Sequence, residues 1–307
     1  VADESEIHLT DYVVFNDDKL AKKYGEGETQ IPMSVLYEAY FDGDIDIKGD
    51  IEDLLRQRNA FVKYTITRQH LQWAVKNYVP DMAAHTRNQD ERMMREIYDR
   101  GNDFFEWFLG ESMVYTAGFF NDGSESLETA QLNQLQKVAG KLQLTKGDRL
   151  LDIGCGWGRL LVDYARQYEC DATGVTLAGK QAEYAQRLID AAAVGERARI
   201  VRKDWRDIPI GEKYDKIVCL EMIEHVGLKN LGGFCEKVTE LLEDDGLFLL
   251  QWTGLRRALK PEDLIWGLFM GKYIFPGADA AVPPSSMLKS LEKAGFEVHS
   301  VENISGH

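Results

Sequence analysis

The sequence is short of positive charge: 36 Lys and Arg stand against 51 Asp and Glu, a formal net charge of −15. Such a surface repels a phosphate backbone, so nucleic acid is excluded as a partner, and an anionic leaflet is disfavoured for the same reason. Cysteine is scarce as well. Cys155, Cys170, Cys219 and Cys235 form no CxxC pair and no Cys/His cluster, which leaves no metal-ligand spacing and reads as reduced thiols in a cytosol-facing compartment. No run reaches the roughly 18 apolar residues of a spanning helix. The opening VADESEIH lacks the basic segment of a signal peptide. Repeats and low-complexity tracts are missing too. What is present, 307 residues with 44% hydrophobic and 28% charged, is the composition of a globular chain of one large or two ordinary domains.

The rhythm of the chain changes near residue 125. Before it, Leu54, Leu55, Phe61, Tyr64, Ile66, Leu71, Trp73, Ala74 and Tyr78 keep helical spacing, so residues 1–125 are expected to form a mainly helical extension and cap, with Pro80 ending or kinking the helix. After it, short β-rich runs (RLLDIGCG, DATGVTL, RARIVRKD, DKIVCLEM, GLFLLQW, FEVHSVENI) alternate with helical ones such as 181–192 and 231–242. That alternation predicts an α/β fold over 126–307, a mostly parallel sheet covered on both faces. Ligands of such sheets lie beyond the C-terminal strand ends, where the strand order reverses.

The first of these strands ends in Leu151-Asp152-Ile153-Gly154-Cys155-Gly156-Trp157-Gly158. Gly154 and Gly156 let the backbone pass close beneath a ligand, and Gly158 lets the next helix start close to its neighbour. A dinucleotide fold would want GxGxxG and an acid closing the second strand. Here the third glycine comes one residue early, and the second strand ends in Gly174-Val175-Thr176-Leu177. Together LDIGCGWG and GVTLAGKQ resemble the class I S-adenosylmethionine-dependent methyltransferases, specifically the cyclopropane-fatty-acid-synthase-like branch. The resemblance implies a Rossmann-like sheet of the seven-stranded type, whose last strand would follow His307. It also implies S-adenosyl-L-methionine as cofactor, with S-adenosyl-L-homocysteine as product. By motif position Asp152, the glycines and Trp157 floor the methionine half, Thr176, Leu177 and Gln181 approach the ribose and adenosine, and Asp204 with Trp205 flanks the adenine.

Upstream, Tyr98-Asp99-Arg100-Gly101-Asn102-Asp103-Phe104-Phe105 and Met113-Val114-Tyr115-Thr116 resemble elements that close over the cofactor in that branch, which sets Tyr98, Tyr115 and Thr116 at its methionine end. Phe104, Phe105, Trp107 and Phe108 are read as core. The fourth strand ends in Glu221-Met222-Ile223-Glu224-His225-Val226-Gly227. Two carboxylates three apart beside an imidazole, at the ligand end of a parallel sheet, make a candidate acid/base cluster; complementing a helix dipole is the alternative use of the same acids. The resemblance makes Glu224 line the active site. In cyclopropane synthases a bound bicarbonate is the base, held in part by a Cys, this glutamate and a His. Here Ala117 replaces the Cys and Gln251 the His, so bicarbonate is left open as a further cofactor and Gln251 joins the catalytic candidates. No metal is expected.

A longer likeness runs through 31–50 (IPMSVLYEAYFDGDIDIKGD), 98–110, 220–227 and 262–280 (EDLIWGLFMGKYIFPGADA). These segments resemble the eukaryotic sphingolipid C9-methyltransferases, which implies C-methylation of a lipid alkene and a lipid or hydrophobic small-molecule acceptor. It also implies a site peripheral to a membrane, the endoplasmic reticulum by resemblance. That subfamily usually carries spanning helices ahead of the point where this chain begins. The apolar segment Leu264 to Phe275, within an insertion at about 255–285, is a candidate roof for the acceptor or a packing helix. Cyclopropane synthesis, small-amine N-methylation and a cofactor-binding protein without catalysis are the alternatives. A homo-oligomer is left open.

Overall fold

The computed structural model describes residues 7–27, 29–78, 87–278 and 282–306; Pro80 lies outside them. The chain forms two compact units, one of residues 1–80 with 258–274 and the other of 81–257 with 275–307.

The larger unit is built on a five-stranded parallel sheet. Its strands are β1 (Arg149–Ile153), β2 (Asp171–Thr176), β3 (Ala198–Arg202), β4 (Tyr214–Leu220) and β5 (Leu242–Gln251), in the order β3-β2-β1-β4-β5. Its helices are α1 (Arg87–Tyr98), α2 (Asn102–Leu109), α3 (Leu127–Lys141), α4 (Arg159–Gln167), α5 (Gly179–Ala191), α6 (Leu231–Leu241) and α7 (Pro284–Ala294). Side chains of a strand alternate between faces, and here both faces are apolar. Leu150, Ala172 and Val218 pack with Leu135, Leu160, Leu161 and Ile189 of α3, α4 and α5, whereas Leu151, Ile153, Ile217 and Cys219 pack with Phe234, Val238 and Met287 of α6 and α7. Each such aliphatic side chain stabilises the fold by roughly 1.5–3 kcal/mol on burial, which is why a sheet of short strands holds its shape. The strand order reverses between β1 and β4, so both ends that shape a ligand crevice come from these two strands. All four cysteines are buried free thiols.

Two expectations fail here. Residues 296–304 form no strand: their alternating apolar pattern supplies propensity, but a strand exists only with a ladder partner, and none of the described residues pairs with them. The division at 125 also moves. Residues 81–125 belong with the sheet because Tyr98, Phe105, Leu109 and Met113 bury against Trp157 of the glycine loop.

The smaller unit is helical with two short strand pairs. Val13–Phe15 runs antiparallel to Ile45–Ile47, and Ile31–Pro32 parallel to Val62–Lys63. The stretch expected as one helix up to Tyr78 is broken. Helix Ile51–Phe61 stops where Val62 joins its ladder, and Thr67, whose hydroxyl accepts the His70 N–H, starts the helix Arg68–Trp73. Helix Pro261–Phe269 is part of this unit: Ile265 is buried with Leu36, Tyr37 and Phe61, and Trp266, Phe269 and Tyr273 pack on the same cluster. Of the segment read as either a roof or a packing helix, residues 264–274 belong to this unit and supply packing side chains to its core.

Candidate active site

At the C-terminal ends of β1, β2 and β4 the larger unit opens into a cleft with about 1070 Å³ of empty space, including its mouth. Its floor is the glycine loop. The N–H groups of Gly154 and Cys155 both donate to the Val175 carbonyl, at 2.9 and 3.1 Å, which ties the loop to β2. Gly156 has φ +51° and no atom within 4 Å of where a Cβ would stand, so its bare backbone faces open space. Gly158 caps α4 at φ +79°, and a Cβ there would lie 2.6 Å from Ala185 Cβ of α5. The first glycine leaves room for a ligand; the second lets two helices meet.

The predicted cofactor residues divide. Tyr98, Tyr115 and Thr116 line the cleft, as do Asp152, Gly154, Gly156 and Trp157, and as do Thr176, Leu177, Gln181 and Trp205. Asp152 is buried, and burial alone pushes its carboxyl up to about 7. The Thr176 hydroxyl donates to Gln181 Oε1 at 2.8 Å and accepts the Ala178 N–H, which fixes both side chains beneath β2. Gly158 and Asp204 do not line the cleft. Asp204 caps the turn Trp205–Asp207, with one oxygen accepting the Arg206 N–H at 2.8 Å and the other Arg206 Nη1 at 2.9 Å. Arg206 also donates to Asp90 Oδ2 at 2.8 Å, so its guanidinium is shared by the two carboxylates. The guanidinium also lies 4.7 Å from the centre of the Trp205 ring.

Aromatic rings wall one end. Phe105 lies 4.7 Å from Trp157, and Tyr98 and Tyr115 lie 6.2 and 6.4 Å from it. Trp157 Nε1 donates to Asn102 Oδ1 at 2.9 Å. Phe275 closes the group against Tyr115 and His225. The outer side of α2 is different: Phe104 and Phe108 are exposed and Trp107 is 80% exposed, against the expectation that all three are core. Helical spacing groups them on one face but does not say what covers that face.

The acid/base candidates also separate. Glu221 and His225 line the cleft; Glu224 and Gln251 do not. Tyr98 Oη and His225 Nε2 are 3.2 Å apart. Glu224 is buried, with Oε1 accepting the Thr253 N–H and Oε2 without a partner among the described residues. Burial first, and then the neighbouring Glu221, push its carboxyl up to about 7 against the opposing Thr253 hydrogen bond. Gln251 Nε2 donates to Thr116 Oγ1 at 2.6 Å and to Glu221 Oε1 at 2.8 Å, while its Oε1 accepts Gln134 Nε2 at 2.6 Å. Gln134 and Arg206 were not singled out from the sequence. The signal for Gln134 was there: a glutamine in phase with the buried Ala130 and Val138 of α3. No group of three His, Cys, Asp or Glu among the described residues is arranged to hold a metal ion.

The site's contents fit S-adenosylmethionine. Aromatic faces suit a sulfonium, a buried carboxyl suits an ammonium, and the open floor at Gly156 admits the chain between them. Bicarbonate does not fit in the manner expected. Ala117 offers only a methyl group, and the Gln251 amide and Thr253 N–H donors are already engaged.

Sheet order, glycine loop and cleft together define a Rossmann-like class I methyltransferase fold. The solved structure of the mycolic acid cyclopropane synthase CmaA1 with SAH and CTAB superposes with TM-score 0.65 at 29% identity, covering 69% of this chain and 76% of that one. The family model described as mycolic acid cyclopropane synthetase matches residues 85–307, and the chain belongs to that family. Among curated proteins, the sphingolipid C9-methyltransferase of Komagataella phaffii is 44% identical over 306 residues, covering 96% of this chain and 62% of its own length. Sphingolipid C9-methyltransferase 2 of Gibberella zeae is 44% identical over 300 residues, 96% of this chain and 57% of that protein. The chain therefore spans less than two thirds of these relatives.

Proposed function

We propose that the protein transfers a methyl group from S-adenosylmethionine to the alkene of a sphingoid base in a neutral sphingolipid, leaving a methyl branch and a restored double bond. The observation that carries this reading is the reach of the 44% identity: it extends over 96% of the chain, well beyond the 85–307 that the family model matches. A likeness confined to methyl-donor binding would not include the smaller unit.

Bound in the cleft, S-adenosylmethionine supplies an electrophilic methyl group. The chain's own work is positional. Tyr98, Tyr115 and Trp157, backed by Phe105, exclude water and face positive charge, Asp152 and the glycine loop hold the polar end, and the Thr176–Gln181 pair lies on the β2 side for the ribose. The bare floor at Gly156 lets the donor sit low, which leaves the upper cleft to the acceptor. Trp205 supplies an apolar surface for the purine, in place of the carboxylate expected from Asp204.

Peripheral contact with a membrane belongs to the same reading. No described helix is long and apolar enough to cross a membrane. The exposed Trp107 of α2 has the amphipathic ring of side chains that settle at a bilayer interface, and the exposed Phe104 and Phe108 beside it add apolar surface. The net charge of −15 favours a neutral lipid surface over an anionic one. The proposed location is the cytosolic face of such a membrane, the endoplasmic reticulum.

Incubation with methyl-labelled S-adenosylmethionine and a Δ8-unsaturated ceramide or glucosylceramide tests the reading. Label in a branched methyl group supports it. Label in a soluble amine, with none in lipid, overturns it.

A further inference from the structure

Methyl addition to an alkene leaves a cation that must lose a proton, so, on the reading above, some group in the cleft accepts it. Four side chains were candidates, and the geometry separates them. Gln251 is an amide and has no useful basicity. Glu224 does not line the cleft, and its unpartnered oxygen is buried. His225 lines the cleft, with Nε2 facing the Tyr98 hydroxyl. Glu221 lines it too, and its setting is unlike the others.

Glu221 has φ +51°, a left-handed backbone that is strained for a glutamate and that concentrates at functional sites. Its N–H donates to the Gln251 carbonyl at 2.9 Å, so the strained peptide is pinned to β5. On the side chain, Gln251 Nε2 (2.8 Å) and the Ala117 N–H (3.4 Å) both point at Oε1. Oε2 makes no hydrogen bond to the described residues. One oxygen is therefore anchored and the other is available to the cleft.

The anchor is itself held. The Gln251 amide could rotate and turn its oxygen toward the carboxylate. Gln134, 1% exposed on α3, opposes this by donating to Gln251 Oε1 at 2.6 Å, since flipping Gln251 alone would set two amide donors face to face and its oxygen against the carboxylate. Gln134 is a positioning residue, reaching Glu221 only through Gln251.

The geometry points to Glu221 as the group that removes the proton from the methylated carbon, in place of a bound bicarbonate, with Gln134 and Gln251 fixing its direction. The C–H bond of that carbon breaks, its electron pair becomes the new π bond that quenches the adjacent cation, and the proton goes to Glu221. It leaves to solvent through the cleft mouth. The same cation can lose a proton from the new methyl group instead and close a cyclopropane, so the placing of the base decides the product.

The test compares wild type, Glu221→Gln, Glu221→Gly and Gln134→Leu on a Δ8-unsaturated sphingolipid, reading turnover, the ratio of methyl-branched to cyclopropane product by mass spectrometry, and S-adenosylhomocysteine affinity by calorimetry. Glu221→Gln is expected to lower methyl-branch formation on the order of 10²-fold or more, to shift the residual product toward cyclopropane, and to leave affinity within about threefold. Glycine tolerates the φ of position 221, so Glu221→Gly folds, and added formate is expected to restore turnover at least about tenfold. Gln134→Leu should shift the product ratio in the same direction with a loss of roughly tenfold. Wild-type turnover and product ratio in Glu221→Gln, or formate-independent activity in Glu221→Gly, overturns the assignment of Glu221 alone. A wild-type protein that methylates no lipid alkene overturns the function as well.

Discussion

Glu224 allows a quantitative test of the electrostatics around the cleft. Its carboxyl is raised from an ordinary 4.5 to about 7, chiefly by burial. Between those two values the folded protein keeps a proton that the unfolded chain has released, so stability falls as pH rises through the window and is lowest above it. The full difference is worth about 3.4 kcal/mol at 1.36 kcal/mol per tenfold, an upper limit because water reaches strained buried charges. Glu224→Gln removes the titration and keeps an oxygen for the Thr253 N–H. The assay is urea denaturation of both proteins, without cofactor, at pH 4.5 and pH 8. The stability of the variant relative to wild type should rise by about 2–3 kcal/mol from the lower pH to the higher. An unchanged or falling difference would refute the argument, because it would mean that folding does not perturb the Glu224 carboxyl.

The glycine loop should give two opposite phenotypes. Gly156→Asn, a residue that tolerates the left-handed φ of this position, is expected to fold and to lose S-adenosylhomocysteine affinity by more than about tenfold in calorimetry, because its side chain occupies ligand space. Gly158→Ala should instead lower stability by roughly 1–3 kcal/mol in thermal melts, from the clash with Ala185. Arg206→Met removes the guanidinium shared by Asp204 and Asp90, and denaturation should register a loss of about 3–5 kcal/mol. Trp107→Ser should leave cofactor affinity intact while lowering co-sedimentation with phosphatidylcholine vesicles severalfold; equal sedimentation would separate α2 from any lipid surface.

The parts of this protein legible in the sequence are those set by local pattern. Five of the six β-rich runs, the helices between them and the glycine run appear where the residues put them, because each is dictated by neighbours a few positions apart. Distant partners were not legible. Nothing in Asp204 announces that Arg206 and Asp90 will engage it, and nothing in FEVHSVENI shows that no strand will pair with it. The aromatic cluster of α2 shows the same limit. Phe105 packs on Trp157 while Trp107, two residues later, faces solvent, and the apolar character of both is equal. Gln134 was overlooked for the opposite reason: a polar side chain at a core position looks like noise until the amide it orients is seen beside it.

The smaller unit's core is completed by a segment from far along the chain. Ile265, Trp266 and Phe269 pack among residues of 1–80, and the chain passes between the units at 80/81, 257/258 and 274/275. Neither unit is therefore a single stretch of coding sequence. A chimera that exchanges only residues 1–80 with a relative would pair one protein's helices with another's Ile265, and a truncation at 81 would leave the apolar face of helix Pro261–Phe269 exposed. Exchange of this chain's smaller unit for another has to move two pieces at once, residues 1–80 and 258–274.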